Sequence, residues 1–221
     1  MTQVTDRIDP STARGGRRVF GLWKCPIYQA DCPGADEHLP VLRELILEKE
    51  KTDPQAADFG GIDAIKSSQT LLTWDHPSID WVRGEILTAV TALTTDVLGT
   101  AAEEIGEHAI DMEGWAVVYR SGGSLRPHTH HDSAWSGVLY IAADTGEKEE
   151  GAGYLQMLDP RPAAIARAAS PGTVRFAPRP GRMVAFPGWQ PHQVRATASD
   201  SDLRIAIAWN VGYREKWTAM S

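Results

Sequence analysis

The chain has 221 residues, 42% hydrophobic and 23% charged, which suits one soluble domain with a sizeable core. Its formal charge of −7 comes with no long basic run, which argues against a nucleic-acid backbone as partner. No stretch approaches the roughly 20 apolar residues that a membrane span needs, and the polar N-terminus has no apolar signal core. Cys25 and Cys32, the two cysteines, are too sparse for a disulfide framework or a zinc ribbon, so the expectation is a cytoplasmic protein with reduced thiols.

Residues 1–18 are polar and end in Gly-Gly-Arg-Arg, and they read as a flexible tail. Residues 19–221 read as a single domain, with helical support over 36–99 and a β core over about 110–213. Val19–Tyr28 has strand-like composition. "DEHLPVLRELILEKEK" then places Leu39, Leu42, Leu45 and Ile46 on one helical face, and Asp53-Pro54 ends it. A Gly60-Gly61 loop leads to a second helix, "SIDWVRGEILTAVTALTTDVLG". There Ile79, Val82, Ile86, Val90, Leu93 and Val97 repeat every three or four residues and Gly99 is the stop.

Beyond Ile110 the pattern changes to short β-like runs: "GWAVVY", "SGVLYIAA", "GYLQML", "TVRFAP", "GRMVAFP", "HQVRATA" and "LRIAIAWNVGY". Helices first and many short strands afterwards predict an α+β, mainly β domain in which N-terminal helices buttress a sandwich or barrel. "GEKEEGAG" reads as a solvated loop.

"RPHTHHDSAW" carries three of the seven histidines in four positions, and a surface cluster, a zinc site and an iron site are all compatible with it. Strand alternation would put His128, His130 and Asp132 on one face and His131 on the other. His130 and Asp132 then supply an imidazole and a carboxylate to one point, two-thirds of a facial triad, and His192 in "FPGWQPHQV" is the available third ligand. His38 and His76 at helix starts and His108 in an acidic stretch read as ordinary surface residues. Twelve positions after His192, Arg204 opens an apolar strand and shares a face with Ala206 and Ala208. A buried arginine needs an anion, either an acidic side chain or a bound cosubstrate.

With those residues in place, "VYRSGGSLRPHTHHD", "FPGWQPHQV" and "RIAIAWN" resemble the Fe(II)/2-oxoglutarate-dependent oxygenases of the prolyl-hydroxylase-like superfamily. "PHTHHDSAWSGVLYI", "GYLQMLDPR" and "GRMVAFPGWQPHQV" are similar to a bacterial and phage branch of those oxygenases. The resemblance implies a double-stranded β-helix, a jelly-roll or cupin-like barrel. It implies Fe(II) on His130, Asp132 and His192, with 2-oxoglutarate on Arg204 and Tyr119, and O2 as co-reactant. The implied reaction is hydroxylation of an unactivated C–H in a small molecule, amino acid or peptide, with succinate and CO2 as coproducts. His128, Arg126, Trp135, Trp189 and Arg161 are candidates for the substrate side or for supporting the ligands, each with an alternative role in packing or turn closure. Two other readings stay open. One is a cupin-type metal dioxygenase or binder that uses no 2-oxoglutarate, to which a His128 ligand in place of Asp132 would bring the site closer. The other is a zinc-stabilised interaction module.

Overall fold

Three strands of this protein, and the middle of a fourth, β4 (Ile110–His128), read as near-continuous apolar runs because both of their faces are covered. The three are β5 (Trp135–Ala142), β8 (Arg182–Pro187) and β10 (Arg204–Tyr213). The computed structural model describes residues 24–53, 57–58, 61–99, 110–143, 151–161, 173–198 and 203–214. The tail at 1–18, the first half of the first expected strand, His108 and most of the charged 146–153 loop lie outside them.

The described strands form one antiparallel system in which β4 serves two sheets. On the first, the order is β1 (Tyr28–Asp31), β8, β5, β10, β4, with β3 (Gly61–Lys66) on the far side of β4 and β2 (Ala57–Asp58) beyond it. The β4–β10 ladder ends at Tyr119↔Arg204. By Leu125 the same strand has taken a new partner, β9 (His192–Val194), which continues to β6 (Leu155–Leu158) and β7 (Thr173–Phe176). The switch falls at Gly122, with φ 76°, and Gly123, where a Cβ would meet the Asp63 carbonyl oxygen at 2.7 Å. The result is the half-barrel of a double-stranded β-helix, open between its two sheets.

Helix α1 (Ala35–Thr52) and helix α2 (Pro77–Leu98) cover the outer face of the larger sheet. Leu42 and Ile46 of α1, and Ile79, Val82, Ile86, Val90 and Leu93 of α2, meet Leu139, Met183, Ile205, Ile207 and Trp209 there. Val97, at the end of the expected stripe, is exposed. The ring of His76 caps α2 by accepting from the Ser78 N–H at 3.0 Å, with Pro77 as the first helical residue. His38 stacks on Trp81 at 4.7 Å and bonds Ser78 at 3.1 Å, so both histidines have structural work. The inner face carries a second cluster that includes Trp115, Val117, Tyr119, Tyr140, Phe186 and Ala206.

Two expectations change. The first described strand runs over Tyr28–Asp31 and pairs with β8, so among the described residues of the expected run at 19–28 only Tyr28 lies in a strand. Gly61, expected in a loop, opens β3, whose pairing with β4, not its own composition, makes it a strand.

Gly137 sits under the indole of Trp209, in contact with its ring carbons where a methyl group would stand. Gly137→Ala should cost about 1–3 kcal/mol by overpacking. In a domain of this size that lowers the thermal midpoint by roughly 2–4 °C per kcal/mol. Gly84→Ala, with nothing within 4 Å of the new methyl, should leave the midpoint unchanged or raise it.

Candidate active site

β4 ends at His128 and β9 begins at His192, and the two residues are register partners across the smaller sheet. Their rings lie 4.3 Å apart between centroids. His130 follows β4 by two residues, and its ring is 5.2 Å from each of the other two. A ligand nitrogen from each of His128, His130 and His192 lies within 4.8 Å of the others, a grouping that could hold one metal ion.

Backbone contacts hold this arrangement. The His130 N–H donates to the Gly188 carbonyl at 2.8 Å, and the Gly188 N–H donates to the Ala134 carbonyl at 3.0 Å. The turn before β9 therefore docks on the turn after His130. Only glycine fits at 188, because a Cβ there would run into the carbonyl oxygens of Ser133 and His130. Two rings are also fixed in orientation. His128 Nδ1 lies 2.8 Å from the Arg126 carbonyl and His192 Nδ1 lies 2.9 Å from the Gln190 carbonyl. With Nδ1–H donating, each ring keeps its free lone pair on Nε2, the usual preparation of a metal-binding histidine. Gln190 is itself pinned, its Nε2 donating to the Leu158 and Pro191 carbonyls at 2.6 and 3.0 Å.

Electrostatics favour the neutral rings. Burial, helped by the proximity of His128, pushes His192 down to about 3, and burial pushes His130 down to about 4 with His128 and Lys66 adding to it. Both are neutral near pH 7 and their lone pairs are available.

The other landmark is Arg204, 2% exposed at the start of β10. Its guanidinium lies 4.3 Å from the ring centre of Tyr119 and 5.2 Å from that of Tyr140. Its Nε and Nη1, and the Tyr140 hydroxyl, have no hydrogen-bond partner among the described residues. Buried donors in that state are rare and mark a place for an acceptor. Arg204 and the three histidines line one cleft, with about 520 Å³ of empty space counting its mouth and walls that include Val117, Leu155, Phe186 and Ala206.

The site differs from the sequence expectation at Asp132. The structure gathers His128, not Asp132, with His130 and His192. The strand stops at His128, and a turn closed by the Ser133 N–H on the His130 carbonyl at 3.0 Å carries Asp132 out to the surface. Alternation therefore does not extend to residue 132. Trp135 is not on the cleft side either. It is 7% exposed in the helix-facing cluster, and its Nε1 donates to Thr94 Oγ1 at 3.1 Å and Tyr213 Oη at 2.9 Å. Arg161 folds back on Asp159, its Nε at 2.8 Å from Oδ1, and closes a turn. The side chain of Arg126 is exposed, and its carbonyl serves His128. His131 is exposed, and Trp189 stands 43% exposed on the Gly188 turn. Tyr140 was missed, although Ser136, Val138 and Tyr140 alternate onto one face in "SGVLYI" and could have been read there.

Residues 113–210 match the family model for the 2OG-Fe(II) oxygenases, whose members use Fe(II), 2-oxoglutarate and O2. No curated protein matches the chain significantly. Similar solved structures include a Pseudomonas putida prolyl-4-hydroxylase, 18% identical with TM-score 0.58, the match covering 85% of this chain and 91% of that one. Another is HygX from Streptomyces hygroscopicus with nickel and 2-oxoglutarate bound, 11% identical, TM-score 0.56, covering 84% and 82%. A third is a Trichoplax adhaerens prolyl hydroxylase in complex with a hypoxia-inducible-factor peptide fragment, 14% identical, TM-score 0.55, covering 85% and 83%. At these identities the structural likeness speaks for the fold.

The geometry separates His128 from Asp132 experimentally. In Ni(II) titrations, His128→Ala should weaken binding by more than about tenfold, since loss even of an outer partner of a ligand commonly costs 10- to 100-fold. Asp132→Ala should bind Ni(II) as the unsubstituted protein does, and the reverse order would restore the His-x-Asp ligand pair.

Proposed function

We propose that this protein, whose residues 113–210 match the 2OG-Fe(II) oxygenase family model, holds Fe(II) on His128, His130 and His192 and binds 2-oxoglutarate with Arg204. With O2 it hydroxylates an unactivated C–H of a small molecule, amino acid or peptide, and releases succinate and CO2. The observation that carries this reading is the buried, under-satisfied guanidinium in the same cleft as three clustered imidazoles. Three imidazole ligands would add no negative charge to a divalent ion, and a dicarboxylate would have one end for that ion and another for Arg204.

When bound, the ion and the cosubstrate supply the oxidative chemistry. The chain supplies placement. Arg126 and Gln190 carbonyls hold two ligand rings in their metal-facing tautomer. Arg204, with the Tyr140 hydroxyl beside it, anchors a carboxylate at the closed end, and Tyr119 stacks against the guanidinium. Val117, Leu155, Phe186 and Ala206 line the space between with apolar surface, which excludes water and strengthens each polar contact.

A three-histidine centre also suits the cupin alternative. Arg204 favours the 2-oxoglutarate reading, because a cupin that uses no 2-oxoglutarate leaves that buried cation without an anion.

Anaerobic Fe(II) and 2-oxoglutarate should give a weak visible charge-transfer band, and admission of O2 should yield succinate, with His130→Ala giving neither. Arg204→Met should raise the 2-oxoglutarate KM by about tenfold to a hundredfold, the worth of a charge-assisted contact. Unchanged KM in a folded Arg204→Met protein would remove the anion clamp and favour the cupin reading.

A further inference from the structure

Ser136 lines the cleft. Arg204, Tyr119 and the three histidines of the same wall already have parts in the proposed reading, and the Ser136 hydroxyl does not. Along β10, Arg204, Ala206, Ala208 and Asn210 share the inner face. On β5 the register partners of Ala206, Ala208 and Asn210 are Tyr140, Val138 and Ser136, so Ser136 stands at the far end of that face from Arg204. Its partner on β8 is Phe186, whose ring is 4.6 Å from that of His192. The hydroxyl therefore belongs to the histidine end of the cleft. Its neighbours in the lining there, Trp115, Val138, Phe186 and Ala208, are apolar.

A serine hydroxyl has one proton to give and two lone pairs to receive with. Two residues outside the lining decide where that proton goes. Glu113, the partner of Asn210 on β4, presents a carboxylate, which only accepts. Asn210 Nδ2 donates to Glu113 Oε1 at 2.8 Å. That fixes the Asn210 amide with Oδ1 turned to β5, where it accepts from Ser136 Oγ at 2.7 Å. Asn210 is 8% exposed, so the chain is built into the wall. The proton of Ser136 is thus spent away from the cleft, and nothing among the described residues donates to its oxygen. Bonds in such a chain polarise one another, and donating toward a carboxylate makes the hydroxyl oxygen at the other end a better acceptor.

We propose that Ser136 is a specificity-determining residue for the primary substrate, and that this substrate carries an O–H or N–H donor next to the carbon that is oxidised. The donor bonds the Ser136 oxygen, and the apolar neighbours take the rest of the group. Asn210 and Glu113 are positioning residues, which touch no substrate and keep the Ser136 proton turned away. The inference rests on the proposed placement of the metal on His128, His130 and His192, since that is what puts Ser136 beside the reacting centre.

The test is calorimetry on the full chain, loaded first with Ni(II) and then with 2-oxoglutarate. The probes are matched pairs. The N-acetyl amides of serine, threonine, homoserine and tyrosine are each set against the O-methyl ether, and those of asparagine and glutamine against the N,N-dimethyl side-chain amide. The first set reads an O–H donor and the second an N–H donor. At least one donor should bind, and its methylated partner should bind about fivefold or more weakly, the scale of one hydrogen bond. Ser136→Ala, with Ni(II) and 2-oxoglutarate affinities retained, should level the pair by weakening the donor. Asn210→Leu keeps the hydroxyl but frees its proton, so it should level the pair by strengthening the methylated member. If Ser136→Ala loses the metal or the cosubstrate, Asn210→Leu decides alone. If nickel and 2-oxoglutarate bind but no donor does, if the pairs bind alike, or if the difference survives substitution, Ser136 is only a tie between strands and this inference alone falls. If nickel or 2-oxoglutarate fails to bind the unsubstituted protein, the underlying functional reading falls and takes this one with it.

Discussion

A guanidinium buried at 2% exposure, with two of its nitrogens lacking a hydrogen-bond acceptor among the described residues, is the constraint around which the cleft is arranged. An unpaired charge in an apolar interior is among the least favourable features a fold can carry. Arg204 is tolerated because Tyr119 and Tyr140 present their ring faces to it, a partial substitute for an anion. Ala206 and Ala208 keep the space in front of it open, as a larger residue at either position would not. An acidic side chain beside it would have settled the charge and closed the site.

The metal-binding end depends on a different device. Three imidazoles are gathered by two turns that dock through backbone hydrogen bonds, and Gly188 is what allows the close approach. The rings come from one strand end, the turn after it and the start of the neighbouring strand, so their spacing is set by sheet register and not by long flexible loops. Such a site is preorganised before any ion arrives. The same half-barrel thus holds a rigid set of imidazole donors at one place and a fixed cation at another, with apolar surface between them.

Much of this was legible in the sequence. The helix stripes of α1 and α2, the seven β-like runs from 114 to 213, and the alternation of Arg204, Ala206 and Ala208 against Ile205, Ile207 and Trp209 all reflect local periodicity, which a linear pattern carries. His192 and Arg204 stood out for the same reason. What the pattern could not carry was where a strand ends. Alternation extended three or four residues too far made Asp132 a partner of His130, whereas the turn at His130–Ser133 sends it outward and leaves the adjacent His128 in its place. Trp135 shows the same limit. Its neighbourhood in sequence is the histidine cluster, but its place in β5 faces α2. The hydrogen bonds from Ser136 to Asn210 and from Asn210 to Glu113 join three strands far apart in sequence and exist only through their register.

The central claim is that His128, with His130 and His192, completes a three-histidine centre that shares its cleft with an Arg204-bound dicarboxylate. A crystal structure of the protein grown without oxygen in Fe(II) and 2-oxoglutarate tests it most directly. The account predicts metal–nitrogen bonds of about 2.0–2.2 Å to all three histidines, the range for imidazole on a divalent first-row ion, with a carboxylate of the cosubstrate on the Arg204 guanidinium. An Asp132 oxygen on the metal in place of His128, or a cosubstrate bound away from Arg204, would contradict it.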